Sequence, residues 1–140
     1  MLAVVHTELI RIGAFGKTRI RILDVGCGSG KLMMTLSRGL ETLHPGILFE
    51  IYRMEVLDFL GKRDQRKAEI LKGIFEEDPS LDWSDRILMT SISGDWPFSD
   101  AFFDVVISNQ VLEHVEHPDQ FFAQMERVFF RGEFPRISFP

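Results

Sequence analysis

The segment that decides the fold is residues 22–30, which read Ile22-Leu23-Asp24-Val25-Gly26-Cys27-Gly28-Ser29-Gly30. An apolar run from Arg19 to Val25 predicts a β-strand that ends where the glycines begin. Apolar residues at helical spacing then predict a helix from Lys31 to about Leu43. Pro45 and Gly46 end that helix, because proline cannot continue it and glycine permits a turn. The segment is therefore the turn between a strand and a helix.

The glycine-rich turn itself predicts a ligand site. Glycines let the backbone bend sharply and let a ligand approach without meeting a Cβ atom, and free N–H groups at a helix start favour an anionic group. A dinucleotide fingerprint needs its third glycine three residues after the second, whereas Gly30 follows Gly28 by two. Asp24, just before the first glycine, suits a positively charged ligand group better than a pyrophosphate. A nicotinamide-dependent oxidoreductase is thus a disfavoured alternative.

The remainder of the chain alternates predicted strands with predicted helices. Strands are predicted at Ile47–Met54, Arg86–Ser93, Phe103–Ser108 and Arg136–Phe139, and helices at 58–77 and 119–130. The run from Phe103 to Ser108 is almost continuously apolar, as is typical of a parallel strand covered by helices on both faces. The alternation predicts an α/β fold, a doubly wound, Rossmann-like and mostly parallel sheet of five strands in the order 3-2-1-4-5. Residues 19–140 form this domain, and apolar spacing in residues 1–18 predicts a short outer helix.

Composition excludes several classes of function. The 140 residues include 16 Lys+Arg and 21 Asp+Glu, which gives a formal net charge of −5. A nucleic-acid-binding face is disfavoured, because phosphate contacts need clustered lysine and arginine. No apolar run approaches the roughly 20 residues that span a bilayer, and the first residues lack the basic region of a signal peptide. We therefore expect a cytoplasmic protein, with Cys27 as a reduced thiol.

The glycine segment resembles motif I of the class I S-adenosylmethionine-dependent methyltransferases. The resemblance continues in order through Asp95–Asp100, Phe103–Val106 and Val111–Val115 and reaches residues 137–140. It covers residues 20–140 and is greatest to the small-molecule methyltransferases of the family. It implies S-adenosyl-L-methionine as the cofactor, a small-molecule methyl acceptor, and direct displacement without a covalent intermediate.

The same resemblance implies roles for individual residues. Asp24 would face the ammonium group of the cofactor, whose methionine part would lie on the glycine-loop backbone. Glu55 would accept both ribose hydroxyls, an arrangement that suits a carboxylate, with Glu50 and Asp58 as alternatives. Asp95 would bind the adenine amino group, and Trp96 would lie beside the ring or belong to the core. The implied cofactor-binding set is Asp24, Gly26, Cys27, Gly28, Ser29, Gly30, Glu55, Asp95, Trp96, Asn109 and Gln110, the last two near the methyl group.

Two other constellations lack the spacing that their chemistry needs. Gly16-Lys17-Thr18 matches the end of a phosphate-binding P-loop, but Arg11 stands where its first glycine should be. The acids and histidines of residues 113–117 lack the i, i+4 histidine spacing of a helical metal site, so no metal is expected. His114 is a candidate general base, since an imidazole titrates near neutral pH. No other catalytic residue is predicted.

The length predicts that the family fold is truncated after its fifth strand. The resemblance implies a further helix and a strand hairpin, which usually help to shape the acceptor pocket. A cofactor-binding module without catalysis, or an inactive fragment of a larger methyltransferase, is therefore the alternative to an active enzyme. An exposed edge of the fifth strand would also favour a homo-oligomer, because unpaired strand edges recruit further strands.

Overall fold

A computed structural model gives the fold and describes residues 1–11, 13–26, 28–57, 62–91, 94–108, 111–112 and 115–129. The strands are β1 (Arg19–Val25), β2 (Leu48–Leu57), β3 (Ile87–Ser91) and β4 (Val105–Ser108). The helices are α1 (Leu2–Arg11), α2 (Lys31–Leu43), α3 (Arg63–Glu77) and α4 (Pro118–Val128). A single 3₁₀ turn, Ala14–Gly16, lies between α1 and β1.

The described strands form one parallel sheet in the order β3-β2-β1-β4. β1 pairs with β2 from Arg19↔Leu48 to Val25↔Met54, and with β4 from Ile22↔Val105 to Val25↔Ser108. The parallel α/β prediction and the order 3-2-1-4 are therefore confirmed. The predicted fifth strand, Arg136–Phe139, lies outside the described residues. The carboxyl ends of all four strands meet at one edge, where open α/β sheets bind their ligands.

Side-chain alternation along the strands gives the sheet two buried faces. Ile20 and Ile22 of β1 join a core that includes residues of α1, α2 and α3, whereas Leu23 and Val25 join a second core with α4. Successive residues of a strand point to opposite faces, so even and odd positions of β1 divide between these cores. We call them the α2–α3 face and the α4 face.

Some predicted boundaries differ from the observed ones. β1 and α2 have the predicted bounds, but β2 continues past Met54 to Leu57, because residues 53–57 pair with β3 from Arg53↔Ile87 to Leu57↔Ser91. β3 begins at Ile87 and not at the predicted Arg86, and the predicted end of this strand, Ile92 and Ser93, lies outside the described residues. β4 begins only at Val105, since Phe103 makes an isolated bridge to Phe129 instead. The predicted start of the helix 58–77, Asp58, lies outside the described residues, as does Ile12, one of the apolar residues that predict the outer helix.

Two predicted helix stripes are rotated relative to the observed ones. In α3, helical spacing of apolar residues predicts that Ile70, Ile74 and Phe75 are buried; Ile70 and Ile74 are, but Phe75 is exposed. In α4 the same spacing predicts that Phe122 is buried, but the buried aromatic residue is Phe121 and Phe122 is exposed. Phe121 lies inward because its ring packs edge-to-face on Trp96, with centroids 5.4 Å apart. Across the described ranges, every helix is too short or too polar to cross a membrane.

Candidate functional site

Two of the predicted site carboxylates lie on one face of the sheet, on either side of a buried arginine. Asp24 of β1 is directly opposite Arg53 of β2 in the strand register, and Glu55 follows Arg53 by two residues. A spacing of two keeps Arg53 and Glu55 on the same face of β2, which is the α2–α3 face. All three are buried, with exposed fractions of 2% for Asp24, 3% for Arg53 and 1% for Glu55.

The Arg53 guanidinium joins these acids through a nearly complete set of hydrogen bonds. Nη1 donates to Asp24 Oδ2 at 2.9 Å, and Nε donates to Glu55 Oε1 at 3.0 Å. Nη2 donates to the Gly26 carbonyl at 2.6 Å and also to Glu55 Oε1. Buried charges need such partners, because an unpaired one would lose its hydration without compensation. Two carboxyl groups and one guanidinium therefore form a single buried cluster.

The glycine loop is attached to this cluster by its backbone. Gly26 N–H donates to the Met54 carbonyl at 3.1 Å, and Gly28 N–H donates to Glu55 Oε1 at 3.3 Å. Arg66 of α3 donates to the Gly28 carbonyl at 3.3 Å. Gly30 precedes α2 with φ of 81°, and a Cβ there would lie 3.1 Å from Ile74 Cδ1. Glycine is therefore required at position 30 both by backbone conformation and by packing.

Burial controls the ionisation of Asp24. Desolvation raises its pKa from 3.8 to about 6, although the Arg53 cation opposes that rise and the neighbouring Glu55 charge adds to it. Loss of hydration penalises the charged form of a carboxyl group, so the proton is held more tightly than in water. A cationic ligand group placed beside Asp24 would favour its ionised form.

The second group of predicted residues lies on the α4 face. Gln124 of α4 donates through Nε2 to Asp95 Oδ1 at 2.8 Å, and its Oε1 accepts the Trp96 N–H at 3.2 Å. Arg127 donates to the carbonyls of Trp96 and Phe98 at 2.9 and 2.7 Å. These bonds fix the segment that leads from β3 to β4 against α4. Trp96 is buried in the α4-face core, and its predicted place beside the adenine ring stays a prediction.

A cavity of about 320 Å³ lies beside this segment. Its lining includes Val56 of β2, Asp95, Trp96 and Gln120. Val56 is adjacent in sequence to Glu55 but points to the opposite face, so the end of β2 separates the carboxylate cluster from the cavity. A larger cavity of about 480 Å³, between α2 and the α3–β3 connection, contains none of the predicted cofactor residues.

The remaining predicted positions are placed as follows. Ser29 is an exposed residue of the glycine loop. Glu50 pairs with Arg21 at 2.9 Å, nearer the amino end of β2, which separates it from the glycine loop. The positions outside the described residues are Cys27, Asp58, Asn109, Gln110 and His114. Within the described ranges, no three histidine, cysteine or acidic residues are grouped as metal ligands.

Arg53 is the principal residue of the cluster that sequence reasoning did not assign to the site. Its signal was an arginine interrupting an otherwise apolar buried strand, two residues before the acid chosen for the ribose. Gln124 and Arg127 were also not assigned. Their hydrogen bonds to residues 95–98 depend on how α4 packs, which no local sequence pattern expresses.

Comparison with known proteins supplies an independent observation. The profile of a family described as "Methyltransferase domain" matches residues 3–129. The mitochondrial ubiquinone biosynthesis O-methyltransferase of Dictyostelium discoideum is 27% identical over 121 residues, covering 81% of this chain and 33% of that protein. The chain thus spans about a third of this curated relative.

A solved structure shares the fold. It is described as an S-adenosyl-L-methionine-dependent methyltransferase of Methanococcus maripaludis and superposes with a TM-score of 0.60 at 21% identity. The match covers 94% of this chain and 51% of the solved one. The fold is therefore that of a Rossmann-like methyltransferase, built here from four described parallel strands.

Proposed function

Because this chain belongs to the methyltransferase domain family, we propose that it binds S-adenosyl-L-methionine and serves methyl transfer to a small molecule. The observation that carries the proposal is the position of Asp24 and Glu55, two buried carboxyl groups beside a glycine loop at the carboxyl ends of parallel strands. These carboxyl groups are hydrogen-bond acceptors, which fits the cofactor, because its ammonium group and its pair of ribose hydroxyls are donors. The small-molecule acceptor is supported by the relative from ubiquinone biosynthesis.

On the α2–α3 face, each proposed binding residue would hold a different part of the cofactor. Asp24 would hold the ammonium group, and Glu55 would hold the ribose hydroxyls. The backbone at Gly26, Cys27, Gly28 and Gly30 would cradle the methionine part, with Ser29 at the solvent side of the loop. Among these glycines, Gly28 is the best position for a test substitution, because an added Cβ would lie 3.4 Å from Arg53 Nη2, an ordinary contact distance.

On the α4 face, Asp95 would accept a hydrogen bond from the adenine amino group. Gln124 already holds the carboxylate of Asp95, and Arg127 holds the backbone of Trp96, so both act as positioning residues. The 320 Å³ cavity beside them offers room for a planar ring. Asn109 and Gln110, after β4, are proposed to lie near the methyl group, with His114 as the candidate base.

The bound cofactor would supply a methyl group on a sulfonium, whose departure leaves a neutral thioether. The contribution of the protein is then alignment and exclusion of water, and it needs no nucleophile of its own. The acceptor atom that we propose is a hydroxyl oxygen, as in the O-methyltransferase relative. Binding without turnover is the second candidate, because each described residue of the proposed site serves to bind the cofactor.

We also propose a fifth parallel strand beside β4, giving the order 3-2-1-4-5. Phe103 N–H donates to the Val128 carbonyl at 2.9 Å, and Phe103 forms a parallel bridge with Phe129. Phe129, which directly follows α4, therefore lies parallel to the approach to β4. We propose that the predicted strand Arg136–Phe139 pairs with β4 on this side.

The binding proposal is tested by calorimetry with S-adenosylhomocysteine. Asp24→Asn and Glu55→Gln each remove a charged acceptor, and we expect about 10- to 100-fold weaker binding from each. Gly28→Ala should fold normally, because its Cβ has room, yet bind more weakly, because the ligand must approach the loop closely. Release of a labelled methyl group onto a panel of small-molecule alcohols and phenols then tests turnover.

The matched control is Glu50→Gln, which removes an acid from the same strand but outside the loop. It should leave the affinity unchanged. Equal affinity of wild type, Asp24→Asn and Gly28→Ala would overturn the assigned site. Binding without methyl transfer to any acceptor would support the second candidate.

A further inference from the structure

The cation that neutralises the candidate site belongs to the protein itself. Arg53 bonds both carboxyl groups that the proposed function assigns to the cofactor, Asp24 and Glu55, and it reaches the Gly26 carbonyl. The guanidinium also lies against the loop, since its Nη2 is 3.4 Å from where a Gly28 Cβ would be. Arg53 thus stands where a cationic ligand group would find its acceptors.

The hydrogen-bond inventory of Arg53 determines how it can respond to a ligand. A guanidinium has five N–H donors and no acceptor. Nε, Nη1 and Nη2 all donate to protein oxygens, and the side chain is 4% exposed. These bonds use four of the five N–H groups, so an anionic ligand group could gain a forked, two-bond contact with Arg53 only if some of them were broken. The arrangement therefore favours a ligand cation that competes with Arg53 for the two acids over a ligand anion that binds Arg53.

We propose that Arg53 is an internal competitor of the cofactor, an autoinhibitory contact that occupies Asp24 and Glu55 until a ligand cation and its hydroxyls replace it. This inference rests on the proposed function. Only the fraction of molecules in which the guanidinium has released the acids is ready to bind. The apparent affinity is reduced by that fraction.

The charge balance of the cluster, two buried carboxyl groups beside one guanidinium, is consistent with this competition. Without Arg53, two buried carboxyl groups would face each other with no cation, which is costly in a dry site. A ligand that brings a positive charge would restore the balance. A variant lacking the guanidinium should therefore be less stable when empty and gain more stability when it binds.

The test compares Arg53→Met with wild type by calorimetry with S-adenosylhomocysteine at pH 8. Methionine keeps an unbranched apolar side chain without the charge, and we expect about tenfold tighter binding. Arg53→Lys keeps a charge but loses the fork of donors, so its affinity should fall between the two. The matched control, Arg21→Met, removes an arginine that pairs with Glu50 on the same two strands, and it should leave the affinity unchanged.

A measurement on wild type covers the case in which Arg53→Met does not fold. The Arg53 Nε–H should be protected from hydrogen exchange in the free protein, because it is buried and bonded to Glu55. Nuclear magnetic resonance should show that this protection falls when S-adenosylhomocysteine binds. Protection that persists in the complex would overturn the proposal.

The outcomes separate this inference from the function on which it rests. Detectable binding by wild type with equal or weaker binding by Arg53→Met would overturn the competition and leave the proposed function standing. Binding by Arg53→Met alone, with none by wild type, would support both. If neither protein binds S-adenosylhomocysteine or S-adenosyl-L-methionine, the proposed function fails and the competition with it.

Discussion

Asp24 is the residue at which the proposed binding role and stability make opposite demands. Burial raises its pKa from 3.8 to about 6, so the folded protein holds this proton more tightly than the unfolded chain does. The stabilising effect of the proton is complete below pH 3.8 and is lost as the pH rises through about 6. A residue retained for its charge would thus reduce stability at neutral pH, as is common at functional sites.

We predict that Asp24→Asn removes this pH dependence. The amide resembles the protonated acid, so relative to wild type the variant should gain stability between pH 4.5 and 7.5. The shift from 3.8 to about 6 corresponds to about 3 kcal/mol at most. Urea unfolding at a series of pH values measures the difference.

Asp78→Asn is the matched control for that series. The pKa of Asp78 is lowered, chiefly by its hydrogen bond from the Ser80 hydroxyl, so its titration lies below the tested range. Its difference from wild type should stay constant from pH 4.5 to 7.5. A constant difference for Asp24→Asn as well would contradict a carboxyl group held in a desolvated cluster.

Among the elements, α1 depends on one glycine of α2. Gly39 lies under Leu2, and a Cβ at position 39 would overlap the Leu2 side chain. Glycine in a helix interior costs about 1 kcal/mol relative to alanine. Glycine at position 39 therefore allows α1 to pack closely on α2, although it lowers the intrinsic stability of the α2 helix.

We predict that Gly39→Ala has different effects in two backgrounds. In Leu2→Ala the obstacle is gone, and the substitution should raise the free energy of unfolding by about 1 kcal/mol. In wild type the gain should be smaller, because the Leu2 side chain must move. Equal gains in a double-mutant cycle would mean that α1 and α2 do not contact each other at this point.

The elements differ in how much of them local sequence determines. β1 and α2 were predictable to the residue, because an apolar run and a helical stripe meet at the glycines. The end of β2 was not, because Glu55 looks like a polar position beyond the strand until its pairing with Arg53 is known. For the aromatic pair of α4, the choice of Phe121 over Phe122 depends on Trp96, 25 residues away in sequence.

At the scale of the whole molecule, the candidate site is divided between two faces of the sheet. The glycine loop, Asp24 and Asp95 could be proposed from motif order alone. Arg53 could not, because its role depends on the register that places it opposite Asp24. The hydrogen bond from Gln124 to Asp95 could not be proposed either, because it depends on how α4 packs. Local sequence patterns therefore predicted the acids of the candidate site. They did not predict Gln124, which orients Asp95, or Arg53, which binds Asp24 and Glu55.

This division yields a prediction for hydrogen exchange across the whole chain. A ligand that contacts Glu55 on one face and Asp95 on the other must bridge the end of β2, since Val56 already lines the α4-face cavity. S-adenosylhomocysteine should then protect two sets of backbone amides together, those of residues 24–30 and 53–57 and those of residues 94–98. Hydrogen exchange followed by mass spectrometry measures both in one experiment.

The two faces can also be separated by mutation, which makes the prediction specific. Gln124→Leu releases Asp95 without touching the carboxylate cluster, because among the described residues the hydrogen bonds of Gln124 join it to Asp95, the Trp96 backbone and Arg127. It should reduce protection of residues 94–98 in the complex while protection at the glycine loop persists. Protection confined to the loop in wild type as well would place the whole ligand on the α2–α3 face. In that case the 320 Å³ cavity would lie outside the binding site, and Asp95 would lose its proposed role.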